Sequence, residues 1–112
     1  MKVFEKKREI IQHCAEDNTE DFNFTKVIEE LAEFQEVISK IRTKSPSNPD
    51  RPKKEEMIKE FGDVLYRSII YLRSQFHDIG YLELLEKVEA RIEKKLTSLE
   101  EYKKLGRYSS GL

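Results

Sequence analysis

Apolar residues recur at steps of three and four along most of this chain, and glycine and proline fall in only a few places, so the pattern predicts an all-helical fold. A first helix is expected over about residues 2–16, with Val3, Ile10, Ile11 and Cys14 as its apolar members, ending in the polar stretch from Asp17 to Asp21. A second is expected over about 25–43. Its stripe of Val27, Leu31, Phe34, Ile38 and Ile41 keeps the alternating four- and three-residue step of a helix packed in a bundle. Pro46, Pro49 and Pro52 make 44–52 a loop, because each proline disfavours helix at the residue before it. A third helix, over about 53–76, carries Met57, Ile58, Phe61, Val64, Leu65 and Leu72 as its core face. After a break at Gly80, the residues Leu82, Leu85, Val88, Ile92, Leu96 and Leu99 predict a fourth helix. Thr97 or Ser98 is a candidate interruption, since Thr97 and Glu100 have capping-box spacing. The tail from Gly106 to Leu112 is expected to fray.

The third helix is apolar on more than one side. Its run from Val64 to Leu72 leaves little purely polar face, and such a helix is a buried one. In a chain of 112 residues, burial on several sides predicts a partner subunit. The expected fold is therefore all-α, a bundle of four to five helices in one domain over 1–112. Dimerisation completes its four-helix core, and the assembly is a homodimer or homotetramer.

Charged residues make up 38% of the chain, yet the formal net charge is -1. No global field favours nucleic acid or an anionic membrane, and any phosphate preference must be local. The single cysteine, Cys14, excludes an internal disulfide framework and reads as a small core residue. No apolar run approaches the roughly 20 residues of a membrane span, and the charged start of the chain has no signal-peptide core. The expected location is the cytoplasm. His13 and His77 lack metal-site spacing and read as surface or helix-end residues.

Two acidic pairs carry the chemistry. Glu30 and Glu33 on the second helix, and Glu60 and Asp63 on the third, are each spaced i,i+3, which aims both carboxylates of a pair at the same side of its helix. Two such helices packed face to face gather four carboxylates around one point. Clustered anions repel unless something positive sits among them, and hard divalent cations take oxygen ligands. On a helical wheel Glu30 and Glu33 lie beside the apolar stripe, whereas Glu29 and Glu36 point nearly opposite it. Taken alone, the acidic run on the second helix is an ordinary solvated face. Asp63 is not explained that way, because it sits inside an apolar run where an unpaired carboxylate is costly.

The segments Lys26-Val27-Ile28-Glu29-Glu30-Leu31-Ala32-Glu33-Phe34 and Glu60-Phe61-Gly62-Asp63-Val64-Leu65-Tyr66 together resemble the two-part motif of the MazG-like all-α nucleotide pyrophosphohydrolases. That motif is an EExxE helix, a variable connection and an ExxD helix continuing as a hydrophobic run. The resemblance covers about residues 24–76, with the C-terminal helix and tail, about 82–112, outside it. It implies Mg²⁺-dependent hydrolysis of a nucleoside triphosphate between the α- and β-phosphates, giving a monophosphate and pyrophosphate, with Mn²⁺ as a substitute ion. Glu30, Glu33, Glu60 and Asp63 become the metal ligands and catalytic residues. Four carboxylates exceed the charge of one Mg²⁺, so two or more ions are expected with substrate bound, leaving one carboxylate to orient or deprotonate water.

Arg67 follows Asp63 by four residues and is the local candidate for a phosphate contact; it is equally placed to be the salt-bridge partner of Asp63. Lys53 and Lys54, or Lys104 and Arg107, are alternative phosphate contacts. Arg107-Tyr108 loosely resembles the basic C-terminus of the family. Phe22, Phe24 or Phe34 are candidates to stack on a base, although aromatics on helix stripes are more often core. Two other readings stand beside this one. Phosphoribosyl-ATP pyrophosphohydrolase carries the same two acidic helices, but Arg67 stands where that family has a histidine soon after the ExxD aspartate. The second is a non-catalytic helical module whose acidic face binds a basic partner.

Overall fold

The computed structural model describes residues 1–106, and among them the chain is all-α, with five helices and no strand. The helices are α1 (Lys2–Lys6), α2 (Arg8–Asp17), α3 (Glu20–Thr43), α4 (Lys54–Gln75) and α5 (Tyr81–Lys104). None is long and apolar enough to cross a membrane. Residues 107–112, including the end of the expected frayed tail, lie outside the described part.

Where the pattern predicts one helix over 2–16, the chain breaks at Lys7 into α1 and α2. In a continuous helix the Phe4 carbonyl would accept from the Arg8 N–H. Here it accepts from the Tyr81 hydroxyl at 2.9 Å instead. A tertiary hydrogen bond from the start of α5 thus takes over a carbonyl that the break releases. The N-terminal amine of Met1 adds an ion pair with Glu89 at 2.6 Å.

The third helix in the chain starts earlier than its apolar stripe suggests. Thr19 caps α3, its hydroxyl accepting from the Phe22 N–H at 3.1 Å. Glu20 and Asp21 fill the first turn, where the helix dipole favours acids. The polar stretch expected as a link is therefore mostly helix. The proline loop forms as expected and is stitched back to α3 by Arg51, whose Nε donates to the Ile41 carbonyl at 3.1 Å. In α5, no interruption occurs at Thr97 or Ser98. The Ser98 hydroxyl donates to the Lys94 carbonyl at 3.1 Å, which absorbs a polar side chain within the helix.

Helices α3 and α4 lie antiparallel along their lengths. Phe24 packs on Tyr71, with ring centroids 5.5 Å apart, and Phe34 packs on Phe61 at 5.6 Å, so the order of partners runs in opposite directions on the two helices. Helix α2 crosses α4, and α5 enters with its first turns. The core they close comprises Ile11, Ala15, Ile69, Ile70, Tyr81 and Leu85. Arg73, near the end of α4, donates to the Phe76 and Ile79 carbonyls and to Gln12 Oε1, which fixes the turn into α5.

Much apolar surface stays outside this core. Ile58, Phe61 and Leu65, expected as core, are exposed, Ile58 at 75%. The reason is that α2 and the start of α5 cover the Ile69–Ile70 end of α4, while α3 alone packs against its first half. The radius of gyration is 17.5 Å, well above the roughly 13 Å of a compact domain of this length.

Replacing Tyr81 with Phe removes the hydroxyl that replaces the lost helical bond to Phe4. The expected loss is about 1 kcal/mol of unfolding free energy, read as a lower urea midpoint with an unchanged slope.

Candidate metal centre

The antiparallel pairing of α3 with α4 brings the middle of one helix against the middle of the other. Next to the Phe34–Phe61 contact, Glu30 of α3 comes together with Glu60 and Asp63 of α4. One carboxylate oxygen from each of Glu30, Glu60 and Asp63 lies within 4.8 Å of the other two. All three residues are half-buried. Glu33 is exposed and stands outside this triad, but its negative charge acts on both Glu30 and Glu60.

The charge environment separates these acids from their neighbours on α3. Glu29 pairs with Lys26 at 3.1 Å and Glu36 with Lys40 at 2.8 Å, which places both on the solvated side that the helical wheel assigns them. Among the described residues Glu30 has no such cation. Burial first, then the negative charges of Glu33 and Asp63, push its pKa above the usual carboxylate range. Burial and Glu33 likewise raise Glu60, with Lys59 offsetting part of the effect.

Five side-chain atoms among the described residues are shut off from solvent without a hydrogen-bond partner, and all belong to α3 or α4. They are Glu30 Oε2, Glu60 Oε2, Arg67 Nε and both amide atoms of Asn23. Seven-residue spacing puts Asn23 on the Glu30 face of α3, and Arg67 on the Glu60 face of α4. Unsatisfied buried polar atoms are scarce in folded proteins. All five lie on these two helices. Asn23, only 1% exposed, is the residue that the sequence pattern gave no reason to select; the one available signal was its place two turns before Glu30 on the same face.

The other candidates fall at different distances from the triad. Arg67 is half-buried, its guanidinium 5.0 Å from the centre of the Tyr66 ring, and among the described residues no ion pair joins it to Asp63. Lys53 caps α4 and Lys54 begins it, both exposed, roughly 10 Å along the axis from Glu60. Lys104 is exposed at the far end of α5, and Arg107 and Tyr108 lie outside the described residues. Phe24 and Phe34 pack on α4 aromatics, and Phe22 lies under the Lys26 ammonium at 5.4 Å. His13 makes an exposed pair with Asp17, and His77 is exposed beyond α4. Neither enters the cluster. The donor set is all carboxylate oxygen, which suits a hard divalent cation and not a thiophilic one.

Comparison of the chain with family models, with curated proteins and with solved structures gives no significant match.

The raised carboxylates set a pH dependence. An acid whose pKa rises on folding stabilises the fold fully below its ordinary pKa of about 4.3 and loses that contribution as pH climbs through the raised value. In EDTA, Glu30→Gln is therefore expected to raise the melting temperature at pH 7 and to leave it unchanged at pH 4. Mg²⁺ is expected to raise the wild-type melting temperature at pH 7, with the gain fading as the carboxylates protonate on acidification. Thermal melts across this range check both.

Proposed function

We propose that this protein is a Mg²⁺-dependent nucleoside triphosphate pyrophosphohydrolase that cleaves between the α- and β-phosphates, releasing a nucleoside monophosphate and pyrophosphate. The observation that supports it is the convergence of Glu30, Glu60 and Asp63 from two antiparallel helices, with buried carboxylate oxygens left unpaired. A lone solvated acidic face has no reason to bury unpartnered oxygens.

In this reading Glu30, Glu60 and Asp63 hold the ion. When bound, Mg²⁺ supplies the positive charge that lets a polyphosphate approach carboxylates and that offsets charge developing on the transferred phosphorus. Mn²⁺, with the same preference for oxygen ligands, is a workable substitute. Glu33, exposed beside the triad and without a cation partner among the described residues, orients the attacking water and accepts its proton. Water oxygen bonds to the α-phosphorus as the bridging P–O bond breaks, and the electron pair leaves with pyrophosphate. Arg67 contributes a guanidinium donor on the Asp63 side of α4, available to a phosphate oxygen because no carboxylate among the described residues claims it.

A second copy of the chain covers the bare apolar surface of α4. Ile58, Phe61 and Leu65 on α4, with Ile28 and Leu31 on α3, are each exposed in the single chain, and apolar surface left bare on two packed helices favours association.

Two experiments test these statements. A panel of nucleoside triphosphates with Mg²⁺, scored for pyrophosphate and monophosphate, is expected to show turnover that EDTA abolishes. Glu33→Gln and Asp63→Asn each lower kcat by about two orders of magnitude or more while the fold is retained. Activity that survives EDTA, or full activity in either variant, overturns the mechanism. Sedimentation at micromolar concentration is expected to give a dimer or tetramer, and a monomer excludes the assembly.

A further inference from the structure

Beside the carboxylates, the break at Lys7 creates a cavity. Residues of α1, Lys7, α2 and α4 line a half-open groove there of about 260 Å³. Val3 and Phe4 of α1, Ile11 and Cys14 of α2, and Ile70 of α4 supply apolar walls. Ile10 stands at the rim, 55% exposed. Lys7 and Arg67 are its two cations, and Tyr66 is stacked under the Arg67 guanidinium.

This cavity continues the line of the acids along α4. Glu60, Asp63, Arg67 and Ile70 share one helix face, and seven residues of rise carry that face about 10 Å from Asp63 to Ile70. The chemistry changes in order along it, from carboxylate through guanidinium to hydrocarbon. A ligand that fits has a metal-binding anionic end, a further anionic group, and an apolar or aromatic ring. The buried, unpartnered Arg67 Nε lies at the junction. The volume is below the roughly 300–1,000 Å³ of pockets that enclose a whole drug-sized ligand, so the cavity takes one end of it.

We propose that the base end of a nucleotide occupies this cavity between the α1–α2 pair and α4, with Arg67 and Lys7 on the phosphate nearest the sugar, and that the base is sorted by size and stacking, not by its hydrogen-bonding edge. The proposal rests on the nucleotide reading of the carboxylate site and adds where the base lies and how it is read. Edge reading uses side chains that hydrogen-bond a base in a fixed plane, as a carboxamide or a guanidinium does. None of the lining residues is Asn, Gln, Asp or Glu; with Lys7 and Arg67 committed to phosphate and the Tyr66 ring against the Arg67 guanidinium, the apolar side chains of Val3, Phe4, Ile10, Ile11 and Ile70 are left to face the base. A site that hydrogen-bonds its substrate rejects an analogue lacking the group by 10⁴-fold or more, whereas an apolar pocket discriminates by about 10–200-fold.

The test separates the base from the phosphates. Ile10→Gln removes apolar wall at the rim without adding charge near Lys7 and Arg67, and Ile10 is exposed enough for the fold to survive, which a thermal melt verifies. The KM for Mg²⁺–nucleoside triphosphate is expected to rise about tenfold, the loss of roughly 1.4 kcal/mol of contact. The inhibition constant of Mg²⁺–inorganic tripolyphosphate, which has phosphates and no base, is expected to stay within about twofold. In the wild type, kcat/KM for bases of equal size, UTP against CTP and ATP against GTP, is expected to agree within about tenfold. Equal effects of Ile10→Gln on both probes, or on neither, overturn the placement of the base. Discrimination of 10⁴-fold between bases of equal size overturns size-only reading. Absence of Mg²⁺-dependent turnover in the wild type removes the nucleotide reading itself, and this assignment falls with it.

Discussion

The register of α3 against α4 is the constraint on which the rest depends. Phe34 on Phe61 and Phe24 on Tyr71 pin the two helices at two points, the first of them beside the acidic cluster. Each aromatic pair contributes about 0.5–1.5 kcal/mol beyond the area it buries. A slip of one residue would move a helix 1.5 Å along its axis and turn its side chains by 100°, and Glu30 would no longer face Glu60 and Asp63. Fold and candidate site therefore share one cause, since the same ring contacts that join the helices also set the spacing of the carboxylates.

That spacing has an electrostatic cost. Glu29 and Glu36 lie one residue before Glu30 and three after Glu33, and both have lysine partners; the two acids that turn toward α4 have none. Burial and mutual repulsion raise Glu30 and Glu60, and the nearby positive charges are Lys59 and an Arg67 that stays unpaired. Buried, mutually repelling carboxylates of this kind destabilise the fold locally.

The sequence carried the helical class, the proline loop and both acidic pairs, because each depends on spacing within a single element. Glu29 and Glu36 pointing away was also legible, as it follows from 100° per residue. The break at Lys7 was not, since it depends on Tyr81 meeting the Phe4 carbonyl across the molecule. The early start of α3 was within reach: Thr19 followed by two acids is a helix-start signal that the polar run concealed. Ile58, Phe61 and Leu65 were read as core because periodicity identifies an apolar face and cannot say which body covers it. Arg67 was open between two partners until the side-chain positions removed the bond to Asp63, and Asn23 had no apolar or charged pattern to single it out.

Helix α5 has a mechanical consequence. Its buried residues, Tyr81, Leu84 and Leu85, all lie in its first five positions, while its 24 residues extend about 36 Å. It behaves as a lever clamped at one end. A tilt of about 10° at the Tyr81 anchor carries the far tip through roughly 6 Å over that length. Sub-ångström changes at the clamp, where Tyr81 also steers α1, are thereby magnified at the opposite end of the rod.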